Sequence, residues 1–300
     1  MTDIATEQQD PGAEAAPTGT EEQATAAASG AAATERFRSK ERAGAVDVDT
    51  ARVNTLVTEL LTAAHDIVRR HQVTYAEYDA LKAWLIQVGA DGEWPLFLDV
   101  WLEHVVEEVA NDDRLGSKGT IEGPYYVPDS PRFTGGEGAL PMRADEGGTP
   151  LLFQGRVTDV DGAALAGAEV EMWHADDDGL YSQFAPNLPQ WNLRGTVVTD
   201  AQGCFRIHTV QPAPYQIPTD GSCGRLIAAA GWHAWRPAHL HLKVSAPGRQ
   251  RVTTQLYFKG GSHVADDVAS AVKPELILDP TPTADGSGSE VTYDFVLDRV

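Results

Sequence analysis

The sequence predicts a mainly β protein, a β-sandwich preceded by a small helical domain, and three observations carry that expectation. Beyond Gly119 the large apolar side chains fall into short alternating runs separated by Gly, Pro, Asp and Asn, the grammar of a sandwich. Between Val53 and Val109 they recur instead at helical spacing. Before Phe37 there is almost no large apolar side chain at all.

Residues 1–45, rich in Ala, Thr, Glu, Gln and Gly, have too little to bury to offset the entropy of ordering and are expected to be a disordered tail. A helical domain is expected over 46–118. Leu56, Val57, Leu60, Leu61, Ala64, Ile67 and Val68 form one continuous stripe on its first helix. A second helix starts at Thr74, where Thr74 and Glu77 spell a capping box, and ends near Gly89. Pro95 suits the first turn of a third, which carries Leu96, Phe97, Val100, Trp101 and Val105. Such stripes either cover a flank of their own core or pair with a second copy of the chain.

Over 119–300, Leu151–Val157, Ala168–Trp173, Arg194–Val198, Cys204–Val210, His239–Ser245, Val252–Phe258 and Glu290–Leu297 read as strands. Asp161-Gly162 and Asp200-Ala201-Gln202-Gly203 are hairpin signals. The stretches Gly221–Trp235 and Thr281–Ser289 read as loop, and no internal repeat is present.

With 300 residues, 42% of them hydrophobic, the chain can bury the core of one large or two modest domains. A formal charge of -21, with basic residues clustered only from Arg36 to Arg42, argues against nucleic acid as a partner. Cys204 and Cys223 form no C-x-x-C pair, which is compatible with a reducing cytoplasm. The acidic N-terminus lacks the pattern of an export signal, and no stretch is apolar enough for membrane insertion, so a cytoplasmic location is expected.

The chemistry concentrates around Arg236-Pro237-Ala238-His239-Leu240-His241. Histidines at i and i+2 of a strand leave the same face, so two imidazole nitrogens are preorganised for one metal ion. A hydrogen-bonded core pair would show the same spacing. Upstream, Tyr181 and Tyr215 sit among turn formers that can aim a phenol inward. Two phenolates with two imidazoles make a hard, anionic donor set that suits ferric iron, whereas zinc sites draw on Cys, His and carboxylate. Arg236 is either half of a structural salt bridge or a charge beside whatever the metal binds. Asp176-Asp177-Asp178-Gly179 resembles the start of a calcium loop, but position twelve is Asn187 and a turn is expected. His174, His208 and His233 are assigned to packing and hydrogen bonding, and Trp173, Trp191, Trp232 and Trp235 to anchoring. No phosphate loop, nucleophile elbow, haem or flavin signature is present.

At these residues the chain resembles the intradiol ring-cleaving dioxygenases, in particular the catechol 1,2-dioxygenases of actinobacterial type. The resemblance runs from the helices after Val48 to the C-terminus, through Gly119-Thr120-Ile121-Glu122-Gly123-Pro124-Tyr125-Tyr126, Val170-Glu171-Met172-Trp173-His174-Ala175-Asp176, the tyrosine loops, the His-Leu-His strand and Val252-Thr253-Thr254-Gln255-Leu256-Tyr257-Phe258. It implies Fe(III), one per chain, held by Tyr181, Tyr215, His239 and His241. Tyr215 doubles as the base that leaves the metal as substrate binds, and Arg236 and Gln255 stabilise developing charge. Ile121, Pro124, Tyr125, Val268 and Ala269 line the slot for a flat aromatic ring. The implied reaction is cleavage of catechol by O2 to cis,cis-muconate in aromatic catabolism, with hydroxyquinol or chlorocatechol as alternative substrates and a non-catalytic sandwich as the competing class. The helical domain is implied to form a homodimer with a phospholipid at the interface. Asp220-Gly221-Ser222-Cys223-Gly224 departs from the family pattern after Asp-Gly, which bears on the fit of that loop.

Overall fold

The computed structural model describes residues 49–300, so the expected tail lies outside the described residues. The helices are α1 (Thr50–His71), α2 (Tyr75–Asp91), α3 (Trp94–Trp101), α4 (Glu103–Ala110) and α5 (Ser222–Ala230). The expected capping box is present: Glu77 N–H donates to the Thr74 hydroxyl at 3.3 Å and Thr74 N–H to the Glu77 carboxylate at 2.7 Å. The third expected helix is two, because the chain breaks at Leu102 (φ -124°, ψ -32°). The break lets the Glu103 carboxylate accept the N–H groups of Glu122 and Gly123, at 3.0 and 3.3 Å, and so ties the helices to the first loop of the β domain.

The strands are β1 (Arg132–Phe133), β2 (Glu137–Ala139), β3 (Pro150–Asp159), β4 (Glu169–Trp173), β5 (Arg194–Val198), β6 (Cys204–Val210), β7 (Tyr215–Gln216), β8 (Trp235–Arg236), β9 (His239–Ser245), β10 (Val252–Phe258), β11 (Ile277–Leu278), β12 (Thr281–Pro282), β13 (Ser289–Thr292) and β14 (Phe295–Leu297). Two sheets face one another. One has the order β1-β5-β4-β9-β10-β11, and the other runs β12-β13-β3-β6-β2 with β14 also paired to β3. Phe153, Val157, Val170, Met172, Phe205, Leu240, Leu242, Leu256 and Phe295 interlock between them as the main core.

Both turns expected to close hairpins form, with Gly162 and Gly203 at φ 82° and 75°, but each joins strands of different sheets. Turn chemistry reverses the chain. The partner is chosen by burial, since β3 and β4 each contribute to the shared core from opposite sides. The last expected strand is split into β13 and β14, leaving Tyr293 between them, where Asp294 Oδ1 accepts Arg156 N–H at 2.8 Å. The loop expected from Gly221 contains α5. Its Arg-Leu-Ile-Ala-Ala-Ala run favours helix and stops at left-handed Gly231 (φ 67°). Its start is pinned by Glu93, whose carboxylate accepts Cys223 N–H at 2.7 Å, and by Trp84, whose Nε1–H donates to Ser222 O at 2.8 Å. The departing Ser222-Cys223 pair is therefore the first turn of a helix docked on α2 and α3. Short β12 likewise lies in the second expected loop.

Apolar stripes of the helical domain do not all find partners. α1 has no buried residue, and Leu56 and Leu60 are 48% and 69% exposed. Among the described residues no helix is long and apolar enough to cross a membrane.

Candidate metal centre

β9 is buried on both faces. Leu240, Leu242 and Val244 enter the core between the sheets, so by strand alternation His239 and His241 leave together on the other side. Their Nε2 atoms are 3.1 Å apart. His239 is oriented by its own backbone neighbour, because its Nδ1–H donates to Pro237 O at 2.6 Å and leaves the Nε2 lone pair facing inward. His241 Nδ1 has no hydrogen-bond partner, and its ring is held by stacking on Trp173, with centroids 4.8 Å apart and planes at 11°. Trp173 and Gln255 flank His241 on either side by strand register.

The two tyrosines arrive on loops. Asp176 organises the first, its Oδ1 accepting the N–H groups of Asp178 and Leu180 at 3.0 and 2.8 Å, which is the expected turn. Gly179 is required there: at φ 80° it lies against Tyr215, and a Cβ added to it would meet the Tyr215 Cβ at 2.7 Å. Tyr181 Oη lies 3.0 Å from His241 Nε2 and 3.4 Å from His239 Nε2. Tyr215 begins β7, which pairs with β8 so that Tyr215 is opposite Arg236. Its ring centre is 5.4 Å from that of Tyr181 and 5.6 Å from that of His239. All four expected donors thus converge, and each is buried.

Electrostatics match a cation at this point. Burial, then the Arg236 charge, depresses His239 to about 3, and burial followed by His239 depresses His241 well below the usual imidazole range. Both rings are therefore neutral donors at ordinary pH. Burial raises both phenols, Tyr181 most, so they ionise at neutral pH only beside a positive charge. Two neutral imidazoles and two phenols, with no thiol among them, fit a hard trivalent ion.

Arg236 forms a buried salt bridge and also lies beside the histidine pair. Its Nε and Nη2 donate to the two oxygens of Asp267 at 3.0 and 2.9 Å, Nη2 also donates to Gln255 Oε1 at 2.9 Å, and Nη1 lies 3.3 Å from His239 Nε2. Burial works against the guanidinium charge, and Asp267 together with Tyr215 and Tyr257 outweighs it. Gln255 Nε2 donates to Ile121 O at 3.0 Å. Tyr125 stacks on Tyr181 at 4.2 Å, and Arg194 fixes both loops by donating to Tyr125 O, Ser182 O and the Ser182 hydroxyl. Ile121, Tyr125, Ala269 and Val268 share one apolar cluster with the two tyrosines, and Pro124 is buried next to Tyr125 in sequence.

Four contributors escaped the sequence reading. Asp267 positions Arg236, Arg194 clamps the Tyr181 loop to the Tyr125 segment, Trp173 stacks on His241 instead of merely anchoring, and Tyr257 donates its O–H to Gln255 Oε1 at 2.9 Å. Tyr257 could have been found by strand parity, since it pairs with His239. Asp267 and Arg194 carry no local signal. His174 and His208 hold the supporting places expected of them, bonded to Ala175 O and Thr209 and to Glu137 respectively.

Two family models match the chain, "Catechol dioxygenase N terminus" over residues 50–118 and "Dioxygenase" over residues 121–299. The chain is 40% identical over 253 residues to a chlorocatechol 1,2-dioxygenase of Rhodococcus opacus, covering 81% of this chain and 98% of that one. It is 33% identical over 270 residues to a catechol 1,2-dioxygenase of Acinetobacter baylyi, covering 83% and 86%. The crystal structure of 3-chlorocatechol 1,2-dioxygenase from Rhodococcus opacus superposes with a TM-score of 0.81 at 45% identity, over 84% of this chain and 100% of that one.

Proposed function

The chain belongs to the intradiol ring-cleavage dioxygenase family, and from that premise we propose that it is an Fe(III)-dependent 1,2-dioxygenase of catechols, opening the ring between the two hydroxylated carbons with O2 to give a cis,cis-muconate. The observation that carries the reading is the convergence of Tyr181, Tyr215, His239 and His241 on one buried point. These four side chains would hold one iron ion per chain. Bound there, the ion supplies the positive charge that keeps the phenols ionised and a centre at which a catecholate is made reactive toward dioxygen.

In this reading Tyr215 Oη takes a proton from the incoming catechol, so that a donor of the resting site serves as its base. Asp267 and Gln255 aim the Arg236 guanidinium at the oxygen end of the bound ring, where it stabilises negative charge without reorganising. The slot walls, Ile121, Pro124, Tyr125, Val268 and Ala269, receive the flat ring and exclude water. Residues 119–300 are assigned the catalysis. Residues 46–118 are assigned a homodimer contact, supported by the uncovered stripe of α1, with a phospholipid-like guest between copies; a cytoplasmic location is part of the same reading.

The sequence alone put catechol first among substrates. The more similar of the two relatives above acts, by its name, on chlorocatechol, and this supports chlorocatechol as a substrate at least equal to catechol. Oxygen uptake by the iron-loaded protein with catechol, 3- and 4-chlorocatechol, 3-methylcatechol and hydroxyquinol tests the proposal. A colourless protein that consumes no oxygen with any of them would refute it.

A further inference from the structure

Among the described residues one cluster of ligating side chains remains that the reaction does not use. His233, in the segment between α5 and β8, meets His263 and Asp266, in the loop after β10. The Asp266 carboxylate is shared: His233 Nε2 lies 3.2 Å from Oδ2 and His263 Nδ1 lies 3.2 Å from Oδ1. One ligating atom from each of the three residues lies within 4.8 Å of the others.

We propose that His233, His263 and Asp266 form a second metal site, for a divalent first-row transition ion such as Zn2+ or Ni2+, on the outer side of the wall that carries Arg236. Two imidazoles and one carboxylate are a donor set that favours zinc, nickel or copper over magnesium or calcium. Bonds of roughly 2.0–2.2 Å to such an ion place neighbouring donors about 3.3 Å apart. The two nitrogen-to-oxygen spacings, 3.2 Å each, come near that value but lie on opposite oxygens of Asp266, so the carboxylate must turn for one oxygen to serve both imidazoles. Drawing donors that lie within 4.8 Å of one another to that spacing needs rotation of side chains that are 40%, 27% and 57% exposed, and that exposure leaves room for water as the remaining ligand.

The site is held by its surroundings. The His263 ring stacks on Trp235, with centroids 5.2 Å apart and planes at 1°, and its backbone is fixed in the left-handed region at φ 65°. Trp235 N–H donates to His233 Nδ1 at 3.2 Å, so that ring carries its proton on Nε2, toward Asp266, and binding an ion through Nε2 moves the proton to Nδ1 and breaks the Trp235 contact. Two ordinary surface pairs would explain one imidazole on one carboxylate and would contribute little. Here two imidazoles from separate segments meet the two oxygens of a single carboxylate, which brings three ligating side chains together at one point. The net charge of -21 further raises the local concentration of cations. An ion here would bridge the segment leading into Arg236 to the loop leading into Asp267.

The test uses the full, iron-loaded protein equilibrated with micromolar ZnCl2 or NiCl2, with metal counted by elemental analysis and iron retention followed by its visible absorption. The expected result is one added zinc or nickel per chain beyond the iron, with a rise in melting temperature, because the ion binds the folded chain alone. His263→Gln and Asp266→Asn should each weaken uptake by about tenfold or more and abolish the rise. His208→Gln, which removes a comparable surface pair with Glu137, should change neither. Absence of saturable uptake, or equal uptake by His263→Gln, Asp266→Asn and the unmodified protein, would overturn the proposal.

Discussion

Asp267→Asn keeps the shape of the side chain and strands a buried guanidinium. The native carboxylate accepts four hydrogen bonds, from Arg236 Nε and Nη2 at 3.0 and 2.9 Å and from the N–H groups of Ala269 and Ala271 at 3.2 Å each. Side-chain exposure is 3% for Arg236 and 2% for Asp267, so water cannot replace what is lost. Removing one partner of such a pair costs about 3–5 kcal/mol, because the remaining charge stays buried and uncompensated. Asparagine retains one acceptor oxygen, which puts the expectation near the lower end, at about 3 kcal/mol. At about 2–4 °C per kcal/mol for a chain of this size, melting should fall by roughly 6–12 °C. Arg236 also loses its aim beside His239, and loss of one oriented donor at developing charge lowers kcat by about 10²–10³. Asp267 is not one of the four donors, so the iron chromophore should persist. Calorimetry, steady-state oxygen uptake and the visible spectrum together read these effects. A variant that melts and turns over like the unmodified protein would refute the argument that Asp267 positions Arg236.

Four further perturbations follow from the same geometry. His241→Ala should lose iron and the visible chromophore together, whereas full iron content by elemental analysis would contradict its place among the donors. Tyr215→Phe should retain iron on the remaining donors but chelate catechol slowly in single-turnover spectra, since the proton acceptor is gone; unimpaired chelation would remove Tyr215 from that role. Gly179→Ala combines a strained φ of 80° with a 2.7 Å approach to the Tyr215 Cβ, and should cost about 1–3 kcal/mol of stability with reduced iron occupancy, measurable by melting and metal analysis. Glutamates at Leu56 and Leu60, which are 48% and 69% exposed on α1, should shift light scattering from dimer to monomer while leaving the chromophore intact; an unmodified protein that is monomeric would refute the interface.

What the sequence by itself determined follows from local periodicity. Strand parity put His239 and His241 on one face, the capping box started α2 at the right residue, and alternation marked most of the strands of the sandwich, because each of these is set by neighbours within a few positions. The turn residues at Gly162 and Gly203 were equally legible as turns. Tertiary structure alone decided where the chain went after them, since burial against the shared core, and not turn chemistry, assigns β3 and β4 to different sheets. It alone broke the third helix at Leu102, where Glu103 reaches Glu122 and Gly123, and docked α5 on Glu93 and Trp84. The supporting residues of the site belong to the same class. Asp267 meets Arg236 across 31 positions, Arg194 meets Tyr125 across 69 and Gln255 meets Ile121 across 134, and pairings at those separations leave no pattern in a single chain because they arise only when the two sheets and their loops close on one another.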